Sequence, residues 1–168
     1  MNALAQVAIR PVRPDDKQRI VAAFHALDRE SVYLRFFSYR KELSEEELRH
    51  VTECDGVSEA VLVATVANGA EERIVGVGSY VRHGAVAEVA FAVAGDFRCR
   101  GIATQFLARL AEVARRNGIT GLEADVLAEN TPMLEVLRHS GMPMRASHDH
   151  GVVHATLSLE SDRKSTVS

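Results

Sequence analysis

The sequence predicts an α/β (α+β) fold. Two observations carry this. The apolar pattern switches repeatedly between a period of two and a period near 3.6. A run of three strands joined by short turns is also followed by helix, strand, helix, strand.

Val7, Ile9 and Val12 begin a strand that Pro14-Asp15-Asp16 stops. That stop also starts a helix, with acidic residues in the first turn and Ile20, Val21 and Phe24 on one face. Helical spacing returns in residues 31–37, where Tyr33, Leu34, Phe36 and Phe37 crowd one side. Ser44-Glu45-Glu46-Glu47 is a capping box launching a helix that carries Leu48 and Val51. An apolar strand over 60–66 ends at Asn68-Gly69, a turn signal, and strands over 74–81 and 86–93 follow, the last after His83-Gly84. These three form an antiparallel meander. Ile102–Arg116 is an amphipathic helix with Ile102, Phe106, Leu107, Leu110 and Val113 on one stripe, closed by Asn117-Gly118. A strand over 122–127 precedes a helix opened by Thr131-Pro132 and closed by Gly141. The last alternating strand covers 152–159.

The chain has 168 residues, of which 46% are hydrophobic and 26% charged, as in an ordinary globular protein. One domain is expected over 1–168, with a core of about 7–159 and a polar tail at 160–168 that frays. Twenty basic against twenty-three acidic residues give a net charge of −3, which excludes a basic nucleic-acid footprint. No apolar run approaches the ~18 residues that span a bilayer, and residues 1–10 have no secretion-signal pattern. Cys54 and Cys99 read as reduced thiols of a cytoplasmic protein.

The sharpest motif is Arg98-Cys99-Arg100-Gly101-Ile102-Ala103, set between a strand and the start of a long helix. A helix N-terminus offers unpaired N–H groups and the positive end of its dipole, so it holds phosphate well. Gly101 lets the backbone come close to an anion, Ala103 is nearly as small, and Arg98 and Arg100 add charge. The plain alternative is a turn glycine flanked by solvated arginines.

Residues 88–103 and the helix after them resemble the acetyl-CoA-binding motif of the GNAT N-acetyltransferases. That family's loop reads Gln or Arg, two residues, Gly, one residue, Gly or Ala, which Arg98, Gly101 and Ala103 match. The order of elements agrees over about residues 7–159. The resemblance implies the GNAT fold, a mixed, mostly antiparallel central sheet of six to seven strands flanked by helices. A narrower resemblance lies in Ser31-Val32-Tyr33-Leu34-Arg35-Phe36-Phe37 and Glu42-Leu43-Ser44, which is similar to the GNAT domains of bacterial protein lysine acetyltransferases.

From the family, acetyl-CoA is the implied cofactor. Its diphosphate is assigned to the loop Arg98, Cys99, Arg100, Gly101, Ile102, Ala103 and Thr104, and its pantetheine arm to Phe91, Ala92 and Val93. Asn130 and Met133 match a second cofactor element, with helix capping by Asn130 and packing by Met133 as the alternatives. The subgroup carries a glutamate general base ten residues before the loop's first arginine, which is Glu88 here. Its strand face otherwise holds Val86, Ala90 and Ala92, small enough to leave room for a substrate. A tyrosine acid found in many relatives is replaced by Leu137.

Some residues are read as structural. Cys99 at a helix start invites a covalent acyl-cysteine route, but direct transfer is the family's habit. His148-Asp149-His150, with His139 and His154, hints at metal; a surface turn before the final strand is the preferred reading and no metal site is assigned. The implied activity is acetyl transfer to a primary amine, preferably a protein lysine. A small-molecule amine, or a non-catalytic acyl-CoA-binding regulatory module, is the alternative. Acetyl-CoA and an amine acceptor are the expected partners, without nucleic acid or membrane, and a homodimer is compatible with the sequence.

Overall fold

Alternating apolar residues and the turns that punctuate them build a single seven-stranded sheet in the computed structural model, which describes residues 6–36, 40–98 and 100–160. The strands are β1 (Ala8–Pro11), β2 (Glu59–Asn68), β3 (Glu71–His83), β4 (Val86–Val93), β5 (Gly121–Leu127), β6 (Met144–Asp149) and β7 (Val152–Ser158). The helices are α1 (Lys17–Ala26), α2 (Arg29–Phe36), α3 (Glu45–Thr52), α4 (Ile102–Arg116) and α5 (Thr131–Arg138). The strand order is β1-β2-β3-β4-β5-β7-β6. Every neighbouring pair is antiparallel except β4 with β5, so the sheet is mixed and mostly antiparallel, as expected. No helix among the described residues is long and apolar enough to cross a membrane.

Helices cover both faces. α4 packs its apolar stripe on one side, where Phe106, Leu110, Leu122 and Leu137 are fully buried. On the other side Ile20 of α1 and Leu48 of α3 close over Val63 and Ile74. The contact between α4 and β3 depends on a missing side chain. A Cβ on Gly78 would lie 2.6 Å from Cγ of Phe106, whose ring rests on the bare backbone there.

Local chemistry fixes the helix starts. In α3 the Ser44 hydroxyl accepts the Glu47 N–H at 3.0 Å while the Glu47 carboxylate accepts the Ser44 N–H at 2.8 Å, the capping box expected from the sequence. Arg40 grips the same carboxylate at 2.5 and 2.6 Å and, with the Ser44 bonds, holds it down at about 2 against the opposing effect of burial. Before α1, Asp16 is fully buried and accepts from Arg10 at 2.9 Å, from the Arg13 N–H at 2.7 Å and from Arg19 at 3.0 Å. Burial alone would push this carboxyl up; the hydrogen bonds outweigh it and bring it to about 2. The network ties β1 to the helix that follows.

One strand escaped the sequence reading. His148 and Asp149 are not in a turn leading into the last strand but end β6, which pairs with β7 along its whole length. The turn itself is His150-Gly151, with φ of 52° and 81°. These positive angles suit a two-residue hairpin, which histidine rarely signals. β6 also shows almost no alternation, because nearly every residue along it is exposed. Phe37 and the tail beyond residue 160 lie outside the described residues.

Gly78→Ala forces a methyl into Phe106 and is expected to cost about 2–3 kcal/mol. Gly95→Ala, where a Cβ meets nothing within 4 Å, is expected to cost under about 0.5 kcal/mol. Urea unfolding of the two variants measures the contrast. The folded Asp16 pKa lies below the ordinary ~3.9, so its contribution is complete above that value and is lost as pH falls toward 2. Unfolding midpoints followed from pH 5 to pH 2 are expected to show a loss of about 2 kcal/mol that Asp16→Asn removes.

Candidate active site

β4 and β5 part company early. They pair only over Val86, Ala87 and Glu88 against Gly121, Leu122 and Glu123, while β4 continues along β3 as far as Val93. The Ala94 N–H donates to the Val75 carbonyl at 2.9 Å, which sets the alternation of the strand. The main-chain groups of Phe91 and Val93 therefore face the gap, where no strand pairs with them. Such an edge is a template for an extended ligand with its own amides.

Beyond the gap, a short 3₁₀ turn at Gly95–Phe97 buries Phe97 and leads into the loop before α4. Gly101 is the N-cap of α4 and takes φ 82°, a left-handed conformation that side chains disfavour. The first-turn N–H groups of Ile102, Ala103 and Thr104 have no acceptor within the helix. A cleft of about 490 Å³ lies between this turn, the end of β4 and the start of α5.

The cleft gathers most of the residues singled out by sequence: Phe91, Ala92 and Val93 from β4; Arg98, Gly101, Ile102, Ala103 and Thr104 from the loop and helix; Asn130 and Met133 from the start of α5. Cys99 lies outside the described residues. Arg100 does not line the cleft, and its guanidinium sits over the Phe97 ring, 4.9 Å from the centroid. Arg98 turns its guanidinium to the Ser31 hydroxyl and lies 3.8 Å from the Asp28 carboxylate. The Asn130 carbonyl caps α5 by accepting the Met133 N–H at 3.4 Å, and its amide nitrogen has no bonding partner among the described residues.

Glu88 is exposed on the opposite face of β4 from Phe91, whose ring stacks on Phe106 with centroids 6.0 Å apart. It opens into a second cavity of about 330 Å³ shared with Ala90, Asp125 and the buried Leu137. Phe91, Asn130 and Met133 line both spaces, so Glu88 and the cleft communicate. An apolar hollow of about 340 Å³ adjoins them under α1 and α3, with Glu47, Glu59 and His50 in its wall.

The residues that sequence reasoning missed come from α2. Ser31, Leu34 and Arg35 stand at the i, i+3, i+4 spacing of one helix face, and all three line the cleft. Arg35 is half-buried; burial pushes its pKa down against the pull of Glu88 and Glu47. The aromatic residues around it drew the eye to packing, and Phe36 does pack, edge-on against Phe24 at 5.8 Å. Asp125 and His154 form a cross-strand pair at 2.5 Å beside the Glu88 cavity. No group of three metal-ligating side chains converges among the described residues.

A strand edge open to amides, a helix start with free N–H groups, and small residues where an anion must approach suit the elongated phosphorylated thioester acetyl-CoA. Known proteins agree. A family model described as Acetyltransferase (GNAT) domain matches residues 6–143. An acetyltransferase from Pseudomonas aeruginosa is 29% identical over 132 residues, covering 77% of this chain and 71% of that protein. The GNAT domain of PAT from S. lividans superposes with a TM-score of 0.82 at 31% identity over 90% of each chain. The yncA structure from Salmonella typhimurium, which holds acetyl-CoA, shares the fold with a TM-score of 0.72 at 19% identity, over 92% of this chain and 95% of that one. The chain thus belongs to the GNAT acetyltransferases, acyltransferases that work with acetyl-CoA.

Proposed function

We propose that this enzyme acetylates primary amines by direct transfer with Glu88 as general base, and that its preferred acceptor is a lysine side chain on a protein. The observation that carries the reading is the place of Glu88, exposed in a cavity that opens onto the split between β4 and β5. A lysine has a pKa of ~10.4, so a base must take its proton before it attacks. Bound acetyl-CoA supplies the acyl group as a thioester.

The chain's own groups divide the remaining work. Main-chain N–H and C=O groups of Phe91 and Val93 hold the pantetheine amides, and the first-turn N–H groups of α4, helped by its dipole, hold the diphosphate. Asn130, in the wall of the same cleft, donates its side-chain amide to that arm. An N–H at the end of β4 donates to the carbonyl oxygen as negative charge builds on it. The new N–C bond forms as the C–S bond breaks, with the amine proton passing to Glu88. A thiol of pKa ~8.5 departs as thiolate without strong help, which makes Leu137 tolerable where relatives carry a tyrosine.

Two features support lysine as acceptor. Residues Ser31-Val32-Tyr33-Leu34-Arg35-Phe36-Phe37 and Glu42-Leu43-Ser44 resemble protein lysine acetyltransferases, and the apolar hollow adjoining the Glu88 cavity has Glu59 in its wall. A lysine lays its methylenes on apolar surface while its charged head seeks acidic groups.

Glu88→Gln is expected to keep acetyl-CoA affinity in calorimetry while lowering turnover by about 10²–10⁴-fold at neutral pH; turnover within a few-fold of the parent removes Glu88 from the mechanism. Gly101→Ala meets no neighbour but must hold φ 82°, at a cost of about 1–2 kcal/mol. Acetyl-CoA titration is expected to show roughly tenfold weaker binding. Mass spectrometry of a lysate incubated with labelled acetyl-CoA is expected to place label on protein lysines; label confined to polyamines or amino acids overturns that acceptor.

A further inference from the structure

Arg35 stands where three spaces meet. It lines the cleft at the split, the cavity of Glu88 and the apolar hollow under α1 and α3. Neighbouring charges are already engaged. Glu47 is held through both oxygens by Arg40 and caps α3, and Arg98 is bound to Ser31 and Asp28. Arg35 has no such partner. Its guanidinium lies over the Phe36 ring, 4.6 Å from the centroid, and among the described residues no carboxylate or other acceptor is within bonding distance of its nitrogens. Glu88 and Glu47 act on it only through space.

A half-buried guanidinium with no bonded partner among the described residues is costly to hold there. Its planar fork of donors matches a carboxylate with two parallel bonds. It shares the Glu88 cavity and the apolar hollow with Glu88, Ala90 and Ala92, whereas the first turn of α4 lines only the cleft. One cavity thus has the Glu88 carboxylate and the Arg35 guanidinium in its walls. A substrate carrying an amine and a carboxylate close together is its electrostatic complement.

Building on that reading of the site, we infer that Arg35 receives a carboxylate of the substrate and makes the enzyme selective for acidic partners at this point. The carboxylate has two sources: an acidic group next to the acceptor amine, or the free end of a dicarboxylic acyl group on coenzyme A. Losing a charge-assisted fork costs about tenfold to a hundredfold in selectivity.

The experiment measures kcat/KM in two pairs. The first pair is lysine peptides flanked by glutamate or by glutamine, both with acetyl-CoA; the second is succinyl-CoA or acetyl-CoA, both with the glutamine-flanked peptide. The parent enzyme is expected to favour the carboxylate member of at least one pair by about tenfold or more. Arg35→Ala is expected to bring that ratio close to one, and Arg35→Lys, which keeps charge but loses the fork, to fall between. Circular dichroism and thermal midpoints show whether each variant is folded. Parent ratios near one in both pairs overturn the inference, as does an Arg35→Ala variant that lowers both members of a pair equally or leaves the ratio alone. If the parent enzyme transfers nothing to any peptide, the proposed reaction fails instead. The same pairs compared by calorimetric affinity, in parent and variants, then decide the role of Arg35 without turnover.

Discussion

The site depends on a limit to strand pairing. β4 and β5 are parallel neighbours for three residues and then diverge. Each is held away from the other by its outer partner. β3 keeps β4 through Val93, and β7 pairs with β5 from Gly121 to Leu127 without interruption. Backbone groups that would close an ordinary sheet are thereby left facing a cleft. Few arrangements leave main-chain donors unpaired in a folded protein without penalty, and an extended ligand with its own amides is the complement of such an edge.

Packing on the two faces of β4 then separates two tasks. Val89 and Phe91 point to α4, and the stack of Phe91 on Phe106 is held where Gly78 lets the ring settle onto β3. Glu88, Ala90 and Ala92 point the other way, toward α2 and open space. Rigidity on one side and room on the other follow from simple alternation along eight residues.

Much of this was legible from residue order alone. The α4 stripe, the α3 capping box and the meander carry strong local signals, because their patterns face a buried side and an exposed side in strict rotation. The glycine-headed turn before α4 was legible for the same reason: a glycine at a helix start has a local physical meaning. β6 was not, since a strand exposed along most of its length has no apolar rhythm and its His-Gly turn mimics an irregular loop. Arg35 was hidden differently. Its spacing from Ser31 and Leu34 is visible, yet only the docking of α2 beside β4 gives that spacing a cavity to face. The contact of Arg98 with Ser31, 67 residues away, is equally invisible to any local pattern.

The single parallel junction also bears on how the molecule is assembled. Strands one to four are joined to each other by near neighbours in the chain, apart from the helical excursion before the second, and the last three strands form a second group. α4 and a three-residue seam help to unite the two groups. A chain in which that seam has parted keeps both half-sheets but loses the split between β4 and β5 that frames the cleft. Nucleotide binding, by favouring the joined form, would act as a clasp on the finished molecule.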